Sequence, residues 1–206
     1  FHSKKIMDSF LKRIREKVEN QIRVSEDETL QLYASHDLIG LGEIARIVRE
    51  RKNGKRAYFN INRHLNYSNV CYVDCKFCEF GQKKNAPKAY ELSLEEMKNT
   101  ALQAVQNNAT ELHIVGGLHP DWKIEYYERL LRELKQEAPG LHLKAFTAVE
   151  IDYFAKVSRL SIEETFERLR AAGLYSMPGG GAEILGERGR KQICPNKITG
   201  ERWLEI

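Results

Sequence analysis

The chain has 206 residues, with 33 lysines and arginines against 29 aspartates and glutamates, a formal net charge of +4 and 42% hydrophobic residues. At about 100–200 residues per domain this is one domain, or a domain with a small appendage, and it can bury a core without disulfide staples. The apolar share excludes a disordered chain, no apolar run approaches the ~20 residues that span a bilayer, and the mild charge, with no interleaving of basic and aromatic residues, excludes an obvious nucleic-acid surface.

The sequence begins at Phe1 with no methionine and no apolar signal segment, and it stops at Ile206 just after Thr199 to Glu205, which reads as the first turns of a helix. It is therefore expected to be a piece of a longer protein, and the cytoplasm is the expected compartment. Three of the four cysteines, Cys71, Cys75 and Cys78, fall within eight residues, and Cys194 stands apart. A secreted disulfide framework spreads its cysteines to bridge distant segments, whereas this clustering suggests a metal or redox loop in a reducing compartment.

In chain order, Ile6, Phe10, Leu11, Ile14, Val18 and Ile22 recur at helical spacing with charged residues between them. Ser25-Glu-Asp-Glu28 is a capping box that starts a second helix. Leu41, Ile44, Ala45 and Val48 mark a third, stopped near Gly54. Residues 1–53 are thus read as a helical extension. From about residue 55 the period changes. Tyr58 to Ile61 reads as a strand, and the cysteine loop follows. Ser93-Leu-Glu-Glu96 is a second capping box, opening a helix with Met97, Ala101, Leu102 and Val105 inward. Glu111 to Val115 is a strand ending at Gly116-Gly117. Tyr126, Tyr127, Leu130, Leu131 and Leu134 form an amphipathic helix closed by Pro139-Gly140. Leu141 to Phe146 is a third strand. Ser161-Ile-Glu-Glu164 caps a helix running to Gly173. Leu174 to Met177 is a short fourth strand, followed by Pro178-Gly-Gly-Gly181.

Strand and helix thus alternate about four times over residues 54–206, which predicts parallel strands joined by right-handed crossovers. A doubly wound sheet and a (β/α) barrel both fit. In either, ligands bind at the carboxyl ends of the strands. The conspicuous residues fall there: the cysteines, Gly116 to His119, Thr147 to Glu150 and the triple glycine.

The strongest motif is Cys71-Tyr-Val-Asp-Cys75-Lys-Phe-Cys78, a C-x3-C-x2-C run. Thiolates are the usual ligands of iron–sulfur clusters. Three on one short loop hold three corners of a 4Fe–4S cube and leave the fourth iron open to a substrate. A structural zinc site wants four ligands, usually in two pairs, and would need Cys194 as the fourth. A dithiol redox pair at Cys75 and Cys78 has no use for a third cysteine just upstream. Attachment of a c-type haem needs histidine where Glu79 stands.

This spacing, with aromatic Phe77 before the last cysteine, is similar to the signature of the radical S-adenosylmethionine (SAM) superfamily. The resemblance implies a 4Fe–4S cluster on Cys71, Cys75 and Cys78, whose open iron is chelated by the amine and carboxylate of SAM. It also implies an external electron donor such as flavodoxin or ferredoxin, a small-molecule substrate, and no nucleic-acid or membrane partner. The expected fold becomes a partial (β/α) barrel of radical SAM type with the N-terminal helical extension, in which residues 54–206 form the first four βα units. Cofactor contacts are expected from Phe77, from the Gly116-Gly117 backbone and from Glu183. The glycines read equally as a tight turn, and Leu118 stands where an acidic residue is common in the superfamily.

A closer resemblance is carried by Leu112-His-Ile-Val-Gly-Gly-Leu-His-Pro-Asp121, Lys144-Ala-Phe-Thr-Ala-Val-Glu150, Pro178-Gly-Gly-Gly-Ala-Glu183 and Ile193-Cys-Pro195. These look like the aminofutalosine synthase family of menaquinone biosynthesis, over about the first half of its usual length. The glycine-rich stretch is shared with two sister groups, the futalosine-pathway cyclase and the deazaflavin-precursor synthases. The Lys144 to Glu150 stretch favours the first family. Its reaction adds a 5′-deoxyadenosyl radical to 3-[(1-carboxyvinyl)oxy]benzoate, giving 6-amino-6-deoxyfutalosine. A substrate with two carboxylates wants cationic or hydrogen-bonding groups, and His119, Lys144, Thr147 and Glu150 are the expected contacts. Each has a plainer reading: His119 shaping a turn, Lys144 solvated on its strand, Thr147 capping a turn and Glu150 serving as a helix cap. No protein group is assigned as catalytic. Cys194 reads as a buried thiol, and His2, His36, His64, His113 and His142 show no ligand spacing. His113 and His142 read as strand residues on core or solvent faces. Outside enzymes, the rival is a zinc-binding structural module.

Overall fold

A computed structural model describes residues 8–206. Ile6 of the expected first helix, and His2, lie outside the described residues. The chain forms two compact units, one up to Phe59 and the other Asn60–Ile206.

In the first unit, α1 (Ser9–Glu19) is capped by Asp8, whose side chain accepts from the Leu11 N–H at 2.8 Å. Leu11, Ile14 and Val18 share its apolar stripe and pack with Ile44 of α3 (Leu38–Asn53). The stripe ends a turn earlier than its spacing predicts. Asn20 caps the helix, Gln21 turns to φ 60° and Ile22 is exposed. The helix α2 (Glu26–Ala34) opens on the expected capping box of Ser25 and Glu28. Glu28 Oε2 also receives Lys17 Nζ at 2.6 Å, which ties α2 to α1. The Lys17 hydrogen bond, then the Ser25 backbone N–H, hold the Glu28 carboxyl down at about 2. An unfolded glutamate titrates near ~4.3. A depressed carboxylate contributes stability that is fully present above the unfolded value and lost as pH falls toward the folded one. Acidification from about pH 5 to about pH 2 is therefore expected to loosen this unit. In Glu28→Gln that part of the acid sensitivity should be missing from urea unfolding curves taken against pH. An unchanged acid limb in the variant contradicts the assignment.

In the second unit, β1 (Asn62–Leu65), β2 (Glu111–Ile114) and β3 (His142–Ala145) form a parallel sheet in the order β1-β2-β3, with Leu65, Ile114 and Ala145 in register. The first strand starts later than Tyr58. Tyr58 and Phe59 have strand composition but stand exposed, and the ladder begins where Asn62 meets Glu111. Pairing, rather than propensity, sets the boundary. The expected fourth strand is reduced to a bridge between Lys144 and Ser176, with the Ala145 N–H donating to the Ser176 carbonyl at 2.9 Å.

Six helices follow the strands: α4 (Leu94–Gln106), α5 (Ile124–Glu137), α6 (Ala148–Ser158), α7 (Ile162–Ala172), α8 (Glu187–Ile193) and α9 (Gly200–Glu205). On α4, Ala104 is buried and Val105 is exposed, because Met97, Ala101 and Ala104 stand at i, i+4 and i+7, while i+8 rotates outward. The sequence pattern gave no sign of α6. Most of its residues are buried, among them Val149, Ile151, Phe154 and Ala155, and the narrow face of Asp152 and Lys156 turns outward, so little amphipathic stripe marks it. Successive strand residues alternate between faces. Leu112, Ile114, Leu143 and Ala145 meet the helices in a core with Tyr127, Leu130, Leu131 and Leu134. The opposite face carries His64, Glu111, His113 and Lys144. Among the described residues no helix is long and apolar enough to cross a membrane.

Candidate active site

A cavity of about 890 Å³ lies at the carboxyl ends of the strands, bounded by the cysteine loop, Gly116-Gly117, Thr147 with Glu150, and the glycines after Pro178. Each wall is held by identifiable bonds.

The stem of the cysteine loop is pinned by buried polar side chains. Asn69 donates to the Lys88 carbonyl at 2.9 Å and accepts from the Tyr90 N–H at 2.7 Å, and Ser68 Oγ donates to the Tyr90 carbonyl at 2.9 Å. The loop then closes on Gly81, whose backbone lies against Cys71 and Cys78. Cys78 Sγ accepts from the Gly81 N–H at 3.3 Å, and Cys71 Sγ from the Leu118 N–H at 3.4 Å. Burial pushes the Cys75 thiol up, and Lys197 opposes this. All three thiols line the one cavity. Among the described residues, no three His, Cys, Asp or Glu side chains converge closely enough to hold a single metal ion. The donors are soft, share a wall and stand apart, which suits a cluster that takes one thiolate at each of several corners.

Gly116 and Gly117 keep ordinary φ, so close approach rather than turn geometry calls for glycine here. A Cβ on Gly116 would run into the ring of buried Tyr67, and one on Gly117 into the Val70 carbonyl. The Gly117 N–H donates to the Ser68 carbonyl at 2.9 Å, which fastens the loop after β2 to the one after β1.

Glu150 joins a third loop to these. Its Oε1 accepts from the Tyr67 hydroxyl at 2.8 Å and the Gly116 N–H at 3.2 Å. Its Oε2 accepts from the Thr147 N–H at 2.7 Å and the Thr147 hydroxyl at 2.8 Å. Burial pushes the carboxyl up, and these four hydrogen bonds pull against it. Just before, Phe146 holds φ 63° while fully buried, a strained conformation for a bulky residue that the packing around it sustains.

Of the residues expected from sequence, Cys71, Cys75, Cys78, Phe77, Gly116, Gly117, Thr147, Glu150 and Glu183 share the cavity. His119 and Lys144 are not among its lining residues. His119 is buried, stacks on Trp122 at 3.9 Å and lies 2.9 Å from Glu91 through Nε2. Lys144 Nζ lies 2.6 Å from Glu111. Thr147 also has its plainer role as the cap of α6, in a capping box with Glu150. The sequence reading passed over two lining residues. Lys197 lies 2.7 Å from Glu183 and 5.6 Å over the Phe77 ring. Nothing in the sequence analysis marks it, and the bonds from Lys76 N–H to the Ile193 carbonyl and from Asn196 to Asp74 bring its segment against the cysteine loop. His113 turns inward by strand alternation and reaches the cavity.

The sequence profile of the Radical SAM superfamily matches residues 65–206, which hold β2, β3 and every wall of the cavity. The chain belongs to the radical SAM superfamily. Methylornithine synthase superposes with a TM-score of 0.71 at 18% identity, covering 93% of this chain and 53% of that one, so the fold is a partial radical SAM barrel. Among curated relatives, aminodeoxyfutalosine synthase of Streptomyces coelicolor is 44% identical over 201 residues, 97% of this chain and 52% of its own length. Cyclic dehypoxanthine futalosine synthase of the same organism is 40% identical over 188 residues, 89% of this chain and 47% of its own. The chain thus spans about half the length of the curated relatives it matches.

For this radical SAM cavity the glycine pair gives a direct test. Gly117→Ala should lower stability by about 3 kcal/mol, since its Cβ meets backbone that has nowhere to move. Gly140→Ala, in open space, should stay within about 0.5 kcal/mol of wild type. Chemical denaturation measures both. Equal effects would show that Gly117 is only a turn residue.

Proposed function

We propose that the protein is a radical SAM enzyme of the aminofutalosine synthase type, which joins the 5′-deoxyadenosyl group of SAM to 3-[(1-carboxyvinyl)oxy]benzoate with loss of carbon dioxide. The observation that carries this reading is the 44% identity to aminodeoxyfutalosine synthase over 97% of the chain, with Lys144 to Glu150 as its most specific stretch. The sister reading, a cyclic dehypoxanthine futalosine synthase, is favoured by the 40% identity to that enzyme.

In this reading Cys71, Cys75 and Cys78 hold three irons of a 4Fe–4S cluster and leave the fourth for SAM. The bound cluster and SAM supply an electron and a 5′-deoxyadenosyl radical, chemistry that no side chain offers. The Gly116-Gly117 backbone lines the cavity where the methionyl amine would lie, held in place by its close approach to Tyr67 and Val70. Glu183, paired with Lys197, presents a carboxylate for ribose hydroxyls, and Phe77 walls the same side. Thr147 and Glu150 set the floor and exclude water by filling it with satisfied hydrogen bonds. The electron comes from an external donor such as flavodoxin or ferredoxin.

Two measurements on the full-length protein test the reading. Anaerobic reconstitution should load about four irons and four sulfides per chain. Cys75→Ala should abolish loading, and Cys194→Ala, a buried thiol outside the motif, should keep it. Equal loss in both variants points to a four-cysteine site. Then SAM labelled in its adenosyl group, a reductant and the benzoate are incubated together. The label should enter a covalent adduct one-for-one with released methionine. Label found wholly as free 5′-deoxyadenosine, with the benzoate untouched, moves the assignment to the sister enzyme.

A further inference from the structure

The inner face of the sheet is polar in each of its strands. In most (β/α) barrels that face is filled by bulky branched side chains. Here the register sets His64, His113 and Lys144 side by side across β1, β2 and β3, and the bridge to Ser176 continues the row. The rings of His64 and His113 lie parallel, with centroids 4.7 Å apart and 9° between planes. Of the three, His113 lines the cavity, and the other two flank it in register. Among the described residues neither imidazole has a hydrogen-bond partner, although His113 is half-buried. Lys144 is matched by Glu111 at 2.6 Å, and Glu111 is itself nearly buried. The half-buried His113 ring, without a hydrogen-bond partner among the described residues and facing the cavity beside the exposed His64 ring and the Lys144 ammonium, has hydrogen-bonding capacity that a ligand can use.

We infer that His64, His113 and Lys144 form a carboxylate-binding row that takes one carboxylate of an aromatic acid substrate. The identity of that acid rests on the proposed function, while the row itself does not. A carboxylate accepts from two imidazole N–H groups and an ammonium, and it meets no carboxylate other than Glu111. Burial, then His64 and Lys144, hold His113 toward its neutral form, against Glu111, and these are the charged and titratable groups that face it. An arriving anion reverses this balance. The site should therefore take up a proton with the acid, and affinity should fall as pH rises from about 6 to about 8, where histidine loses its charge.

The test is equilibrium binding to the full-length, cluster-loaded enzyme with SAM and no reductant, by calorimetry. The probes are 3-[(1-carboxyvinyl)oxy]benzoate, its benzoate methyl ester and isophthalate. Both diacids should bind at least about tenfold tighter than the ester, in line with one charge-assisted hydrogen bond. His113→Gln and Lys144→Met should erase that preference while leaving the ester's affinity in place, and His113→Gln should flatten the pH dependence. Lys144→Arg should retain the preference. Glu111→Gln, which removes the competing carboxylate and leaves the row intact, should tighten both diacids, and it keeps the test open if Lys144→Met unfolds. Variants that keep the wild-type preference, a wild type that binds acid and ester alike, or a Glu111→Gln variant that weakens the diacids would each overturn the row. Diacid binding that obeys these rules without adduct formation would sink the functional reading and leave the row standing. Adduct formation with unaltered affinities in the variants would do the reverse.

Discussion

A single buried carboxylate holds the catalytic end of this half-barrel together. Glu150 takes hydrogen bonds from Tyr67, Gly116 and Thr147, which lie just past β1, β2 and β3. Among the described residues no cation pairs with it. Burying a charge is costly unless hydrogen bonds replace its water, and here four donors from the protein do so. Each donor also serves a neighbour. Tyr67 packs edge-on against Tyr127 and Phe146, Gly116 sits against the Tyr67 ring, and Thr147 starts α6. Cutting the carboxylate out leaves several buried donors unpaired at once, a larger loss than any one bond.

From that knot the order passes to the cysteines. Gly117 is fixed to Ser68, and the next residue, Leu118, donates its N–H to Cys71 Sγ and accepts from the Tyr72 N–H at 3.1 Å. The opposite edge of the loop is held by the segment after α8, through Ile193 and Asn196. That segment is organised by Arg190, fully buried, whose guanidinium donates to the carbonyls of Ala182, Ile184 and Ile198. The loop of Glu183 and the loop of Lys197 are thereby bound into one piece.

Much of this was legible in the sequence wherever a local rule fixes local structure. The capping boxes at Ser25, Ser93 and Ser161 open helices as predicted, because an N-cap hydroxyl and a third-position glutamate satisfy each other whatever surrounds them. The cysteine spacing and the glycine pair marked the right end of the barrel. What escaped notice depends on long-range partners. Thr147 and Glu150 had plainer readings as caps, but the helix they open went unread because most of the α6 residues are buried and little amphipathic stripe marks it. Leu174 to Met177 has strand composition but makes only one bridge. His119 sits near the expected loop, yet stacking on Trp122 takes it away from the cavity wall, and Lys144 stands one strand over from His113, paired with Glu111. Lys197 and His113 reach that wall through tertiary contacts that no spacing encodes.

Hydrogen exchange of the full-length protein tests most directly whether Glu150 binds the strand ends into one unit. The amides of Gly116 and Thr147 both donate to that carboxylate, so in the wild type they should open with the same free energy. In Glu150→Ala both should lose about 2–3 kcal/mol of protection together, while Leu143 in the middle of β3 keeps its own. If Gly116 and Thr147 exchange independently in the wild type, or if either retains its protection without the carboxylate, the strand ends are held by something other than Glu150.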